Sequence, residues 1–262
     1  MKGEFKVKIR IFDTKMQMAK SAAEEAKRIL VTALNKKGKA VLVVATGTSQ
    51  IEFLEYLTHL SYIDWSKVEM FHLDEYIGLS EDHPASFRKY LKEHLIDKVH
   101  PGEIHMINGD SENPEKECER LNNLIKEKDI DISFVGIGEN CHLAFNDPPA
   151  DFEIDKPYII VNLDKTCRNQ QVKEGWFDLL DNVPTQAISM SIKQILRSEN
   201  IICVVPDERK AIAVRNAIEG GISPNCPASI LKTHNKVSMF LDKESSKLLH
   251  PKTLREKEGD DL

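Results

Sequence analysis

The stretch AVLVVA, residues 40 to 45, is apolar at all six positions and runs straight into TGTS. A strand exposed on one face alternates apolar and polar residues, whereas an unbroken run belongs to a central parallel strand covered on both faces. Parallel neighbours need crossover connections, usually helices, so this run points to an α/β architecture if amphipathic helices flank it. They do. The preceding segment MAKSAAEEAKRILVTALNKKGK places Ala19, Ala22, Ala23, Ala26, Ile29, Leu30, Ala33 and Leu34 on one helical face, with Gly38 as its stop. Before it, Phe5, Val7, Ile9 and Ile11 alternate with Lys6, Lys8 and Arg10, the pattern of a half-buried strand and not the continuous apolar core of a signal peptide.

The alternation continues along the chain. VEMFHL (68–73), IHMI, DISFVGIG (131–138), YIIVNL, AISMSI, IICVVP and VSMFLD read as strands. SFRKYLKEHLIDKV (86–99), PEKECERLNNLIKEK and DERKAIAVRNAIEGG (207–221) read as helices, the last ended by Gly220 and Gly221. This predicts an α/β, Rossmann-like fold with a mostly parallel sheet and helices on both faces. No linker, repeat or low-complexity tract interrupts it, so a single domain is expected over residues 1–262, with a charged tail from about residue 253.

A formal net charge of −6 gives no general attraction to nucleic acid or to anionic membranes, and no apolar run approaches a membrane span. A small-molecule ligand is therefore the expected partner, with no nucleic acid and no membrane. The five cysteines, Cys118, Cys141, Cys167, Cys203 and Cys226, are odd in number and lack a CxxC pair, so neither a disulfide framework nor a zinc site is expected. The expected location is the reducing cytoplasm.

Ligands of open α/β sheets bind outside the carboxyl ends of the strands, where three polar turns stand: 45–50, 72–79 and 136–149. The first offers backbone N–H groups and the hydroxyls of Thr46, Thr48 and Ser49 at a helix start. It reads either as a phosphate cradle or as an ordinary capped loop, and it lacks the lysine of a P-loop. The second, FHLDEYIGLSEDHP, carries Asp74 and Glu75 just past a strand end, as a general base or as surface acids; His72, Asp74 and His83 also permit a metal reading. The third, GIGENCHLAFNDPP, concentrates Asn140, His142 and Asp147 between glycines and prolines. It begins like a dinucleotide-binding GxGxxG but ends in Cys141, and Pro148 and Pro149 oppose a helix there.

Through FHLDEYIGL and GIGENCHLAFNDP, in that order and spacing, the chain resembles the glucosamine-6-phosphate deaminase (isomerase) family, and the likeness runs from the strand before TGTS to VSMFLD. The resemblance implies aldose–ketose isomerisation with deamination of an amino-sugar 6-phosphate, giving fructose 6-phosphate and ammonia, with no redox cofactor or metal. It implies that Asp74 moves a proton from carbon 2 to carbon 1, and that His142 assists ring opening with support from Asn140 and Asp147. It further implies that Thr46, Gly47, Thr48, Ser49 and Lys210 bind phosphate. A homo-oligomer is one arrangement it allows, because family members include monomers and hexamers.

This chain departs from the pattern in four places. Asn140 stands where many members have Asp, Cys141 replaces a usual glycine, Asp147 is one methylene shorter than the common Glu, and KEGWF lacks the phosphate-binding Arg that precedes a Phe-Phe pair. Arg168 and Lys173 are the nearby cations that could replace it. The competing readings are a 6-phosphogluconolactonase-type hydrolase, a sugar-phosphate sensor without catalysis, and a dinucleotide-binding enzyme; LAFNDPP after His142 follows the deaminase pattern.

Overall fold

A computed structural model describes residues 7–258 of the chain. It opens with β1 (Val7–Phe12), α1 (Lys15–Lys37), β2 (Ala40–Val44), α2 (Ile51–His59), β3 (Val68–His72) and β4 (Asp74–Tyr76). Next come α3 (Phe87–Leu91), α4 (Asp97–Val99), β5 (Glu103–His105), α5 (Pro114–Ile125), β6 (Ile132–Val135), β7 (Tyr158–Asn162), α6 (Lys165–Lys173) and β8 (Gln186–Met190). Last are α7 (Ile192–Leu196), β9 (Asn200–Val205), α8 (Ala211–Glu219), β10 (Val237–Asp242), α9 (Lys243–Ser246) and α10 (Pro251–Glu258). Phe5 lies outside the described residues, and the charged tail expected from 253 begins inside α10.

Seven strands form one parallel sheet in the order β1-β10-β9-β6-β2-β3-β5. Every residue of β2, β3 and β6 is buried. Successive strand side chains point to opposite faces, so both faces of the sheet centre are covered, as the unbroken run at 40–45 requires. On one face α1 packs across β1, β2, β6, β9 and β10. Its ends are closed by side-chain and backbone chemistry. Thr14 and Gln17 form a reciprocal capping box, and Gly38 takes the left-handed conformation, φ 74°, that a side chain would resist.

YIIVNL and AISMSI do not join the parallel sheet. They form β7 and β8, which pair antiparallel with β4 in a second sheet of order β4-β8-β7. The strand expected in AISMSI stops at Met190, because Ser191 accepts a bond from the Gln194 backbone and starts α7. The helix expected over 86–99 is interrupted at 92–96 by a π-type turn, with Leu91 and Leu95 still buried on either side of the join.

The chain turns in opposite directions after β2 and after β6. From β2 it proceeds to β3 and β5; from β6 it proceeds to β9 and β10. The carboxyl ends of these two adjacent strands therefore flank the topological switch point of the sheet, the place where such folds leave a crevice. At Leu73 the chain also leaves the large sheet for the small one: its N–H donates to Val44 O (3.1 Å), and its carbonyl accepts from Met190 N (2.7 Å). Asp74, the next residue, is carried out over the crevice.

Candidate active site

A cleft opens at this switch point, and all three polar turns line it. Thr46, Gly47, Thr48 and Ser49 form one wall, and Asp74, His142 and Lys210 border the same space. Gly47 has φ 97°, a conformation that keeps the turn tight before the helix. Tyr90 Oη donates to its carbonyl at 3.0 Å, so that carbonyl is tied back while the turn faces the cleft.

Asp74 and Glu75 are neighbours with opposite surroundings. Glu75 is fully buried and accepts from Tyr76 N (2.9 Å), Ser86 Oγ (2.8 Å), Phe87 N (3.2 Å) and Arg88 N (2.9 Å). Its charge is spent on fastening the start of α3. Asp74 is only 6% exposed and its carboxyl receives no hydrogen bond among the described residues. Burial, with the charge of Glu75 adding to it, pushes the Asp74 carboxyl up from 3.8 to about 8. A carboxylate formed there is a far stronger base than an exposed one.

His72 does not join Asp74 in a metal site. Its Nε2 accepts from Ile107 N at 2.8 Å, and burial, reinforced by the Arg88 charge, pushes its pKa down to about 3. His83 Nδ1 accepts from Ala85 N at 3.0 Å. One nitrogen of each ring is thus taken up as an acceptor for a backbone N–H.

In the third turn His142 lies against Gly138, where an added Cβ would fall 2.3 Å from the imidazole ring, so a bare Cα is required. Its Nδ1 is 3.1 Å from Asp147 Oδ1. An ionised carboxylate only accepts, so Nδ1 carries the proton and Nε2 is the nitrogen left to exchange protons. Asn140 Nδ2 donates to the same Asp147 oxygen (2.9 Å) and to Asp164 Oδ2 (3.0 Å), while Asp164 N donates to Asp147 Oδ2 (3.0 Å). Burial pulls the Asp147 carboxyl upward, but these hydrogen bonds and the His142 charge outweigh it and hold it below the usual range. The turn that achieves this is strained: Cys141 and Ala144 have φ of 74° and 50°. Cys141, which replaces a usual glycine, thus holds a left-handed backbone conformation that glycine adopts freely.

Two expectations are corrected. Cys141 Sγ is bonded to Cys226 Sγ with Cα atoms 5.0 Å apart, across 85 residues, whereas Cys118, Cys167 and Cys203 are free and buried. A pair this distant in the chain leaves no spacing signature. Arg168 is not a phosphate ligand in this arrangement: its guanidinium donates to the carbonyls of Leu180 (2.7 Å) and Val183 (2.9 Å), and it does not border the cleft. Lys173 points to solvent, 69% exposed. Gln170, Gln171 and Glu174, unexpected from the sequence, do line the cleft. Their signal was a dense polar run on a helix whose buried positions include Cys167, Gln170 and Gln171.

Ligand atoms of His142, Asp147 and Cys167 lie within 4.8 Å of one another. Asp147 is already occupied by three donors, and burial with the Asp147 charge pushes the Cys167 thiol well above its ordinary range, away from the thiolate a metal needs. This is the chemistry of a histidine-orienting carboxylate. Among the described residues no helix is long and apolar enough to cross a membrane.

A parallel sheet with a cleft at its switch point, bordered by a strongly basic carboxyl, an oriented imidazole and a buried lysine, is the layout of an α/β enzyme acting on a small molecule. The family model described as glucosamine-6-phosphate isomerases/6-phosphogluconolactonase matches residues 13–239. The chain belongs to this family. A glucosamine-6-phosphate deaminase of Exiguobacterium sibiricum is 38% identical over 212 residues, covering 81% of this chain and 82% of that protein. One of Clostridium botulinum is 36% identical over 236 residues, covering 88% and 93%. A solved monomeric glucosamine-6-phosphate deaminase superposes with a TM-score of 0.85 at 30% identity, covering 92% of this chain and 99% of that one. The 6-phosphogluconolactonase of Trypanosoma brucei, at TM-score 0.78 and 14% identity over 94% and 100% of the two chains, shares the fold alone.

Proposed function

We propose that this protein converts glucosamine 6-phosphate and water into fructose 6-phosphate and ammonia. The observation that carries the reading is the convergence on one cleft of Asp74, His142, Lys210 and the turn Thr46–Ser49. Phosphate is held by Lys210 and by the N–H and hydroxyl groups of the turn. His142 takes the proton of the carbon-1 hydroxyl through Nε2 and returns it to the ring oxygen, which opens the ring. Asp147 steadies the transient imidazolium, and Asn140 keeps Asp147 in place.

Ionised Asp74 then removes the proton on carbon 2, leaving an enolate at oxygen 1, and delivers it to carbon 1 as a proton of the amino group passes to oxygen 1. Carbon 2 becomes an imine, and water replaces the nitrogen as ketone oxygen, releasing ammonia. Burial of Asp74 favours the step: the proton leaves a weakly acidic carbon, so a base whose conjugate acid titrates near 8 is better matched than one near 3.8. The cytoplasm is the proposed location, since phosphorylated sugars are retained there. The reading needs no nucleic acid, membrane or resident metal, and one chain supplies every residue named.

The test is ammonia release from a panel of amino-sugar 6-phosphates, with hydrolysis of 6-phosphogluconolactone measured in parallel. Ammonia from glucosamine 6-phosphate is the expected result. Turnover of the lactone alone overturns the proposal.

A further inference from the structure

Lys210 is 3% exposed, and its ammonium makes no hydrogen bond or ion pair with any described residue. Burial pushes its ammonium pKa down. A buried ammonium that no acceptor contacts is unfavourable until an anion reaches it, so the lysine marks where an anion binds. One residue earlier, Arg209 has a different setting. Its Nη1 lies 3.0 Å from Glu174 Oε1 and 3.5 Å from Glu139 Oε1, and its Nη2 donates to Thr48 Oγ1 at 3.1 Å. Arg209 does not itself border the cleft, but Thr48 and Glu174 both do.

Glu174 is the oddity. Its side chain is 5% exposed at the end of the cleft that holds Lys210 and the hydroxyl-rich turn, where a carboxylate would repel an incoming anion. Four donors surround it: Arg209, Thr48 Oγ1 (3.2 Å), Gln170 Nε2 (2.8 Å) and Trp176 Nε1 (3.3 Å). A guanidinium and a hydroxyl gathered on one set of oxygens are what a phosphate group recruits. In this chain the Glu174 carboxylate holds them.

We propose that Arg209 is the second phosphate-binding cation of this protein, and that Glu174 is an internal anion which holds Arg209 and Thr48 until the phosphate of the substrate displaces it. The proposal rests on the sugar-phosphate reading above. It accounts for the missing arginine of KEGWF: the cation is supplied from the residue before Lys210, and the position near the gap carries its counter-ion. Arg209 is one-third exposed and long enough to swing, and a phosphate dianion outcompetes a single carboxylate for a guanidinium on charge alone. Binding strength is thereby set low by Glu174.

Calorimetric titration of the full chain with inorganic phosphate tests this without any turnover. Arg209→Gln should weaken phosphate binding about tenfold, the loss of one charge-assisted contact. Glu174→Gln should tighten it about fivefold. In the Arg209→Gln background, Glu174→Gln should change the dissociation constant less than twofold, because the group it competed for is gone. An unchanged dissociation constant in Arg209→Gln overturns the proposal, as does weaker binding in Glu174→Gln alone. Since phosphate is the only ligand, these outcomes are separate from the ammonia assay: a protein that follows them yet releases no ammonia loses the deaminase reading and keeps this one.

Discussion

Asp74→Asn should make the protein more stable at alkaline pH while removing its activity. The amide matches the neutral acid in size but cannot ionise, so the variant reads the cost of holding a charge in that place. Native Asp74 titrates near 8, against 3.8 for an ordinary aspartate. Between those values the folded chain keeps a proton that the unfolded chain has lost, so Asp74 lowers stability progressively as pH rises from about 4 to about 8; above that both states are ionised and the full penalty is present. At 1.36 kcal/mol per unit the shift has a ceiling of about 5–6 kcal/mol. Water entering the open cleft and the high effective dielectric of protein sites bring the expected gain to about 2–3 kcal/mol. Urea unfolding at pH 5 and pH 9 measures it. The variant should match the wild type at pH 5 within about 1 kcal/mol and exceed it at pH 9. A difference between variant and wild type that is the same at both pH values refutes the reasoning, because a desolvated carboxyl must show its cost only where it ionises.

Lys210→Ala should cost about 1.5–3 kcal/mol in kcat/KM for a phosphorylated amino sugar and nothing for the unphosphorylated one; equal losses on both would make Lys210 a structural residue. Gly138→Ala places a methyl carbon 2.3 Å from the His142 ring, so the imidazole must move and kcat should fall at least about tenfold with little change in melting temperature. The His72 ring, with its pKa near 3, should show constant proton shifts by NMR from pH 5 to pH 8; a titration midpoint in that range would mean that it is not held as the acceptor for Ile107 N.

Much of the fold was legible in the order of apolar runs. AVLVVA lies at the centre of the sheet and is buried throughout, and the three polar turns meet at one cleft. What could not be read was which strands share a sheet. YIIVNL is an apolar run like the others, yet it pairs antiparallel with β8, the strand that the chain also joins through β4 after the switch of hydrogen bonding at Leu73. That switch also decides between Asp74 and Glu75. Strand alternation says only that they face opposite ways; which one faces the cleft depends on the second sheet. Arg168 misled for a related reason. A guanidinium near the expected phosphate site looks like a ligand until two loop carbonyls, 12 and 15 residues away, are seen to hold it. Asn140, His142 and Asp147 were legible as a group because they share one short turn and bond to one another within it.

The most direct measurement of the proposed chemistry follows hydrogen at carbon 1. Glucosamine 6-phosphate is incubated with the protein in deuterium oxide, and the fructose 6-phosphate formed is read by proton NMR beside the ammonia released. Asp74 borders a cleft that opens to solvent, so it should exchange its proton between the two half-steps; wild-type product should carry deuterium at carbon 1 and appear with equimolar ammonia, and Asp74→Asn should form neither. Ammonia and deuterated product made at an undiminished rate by Asp74→Asn would contradict the assignment of Asp74 as the base, and no ammonia from the wild type would contradict the reaction itself.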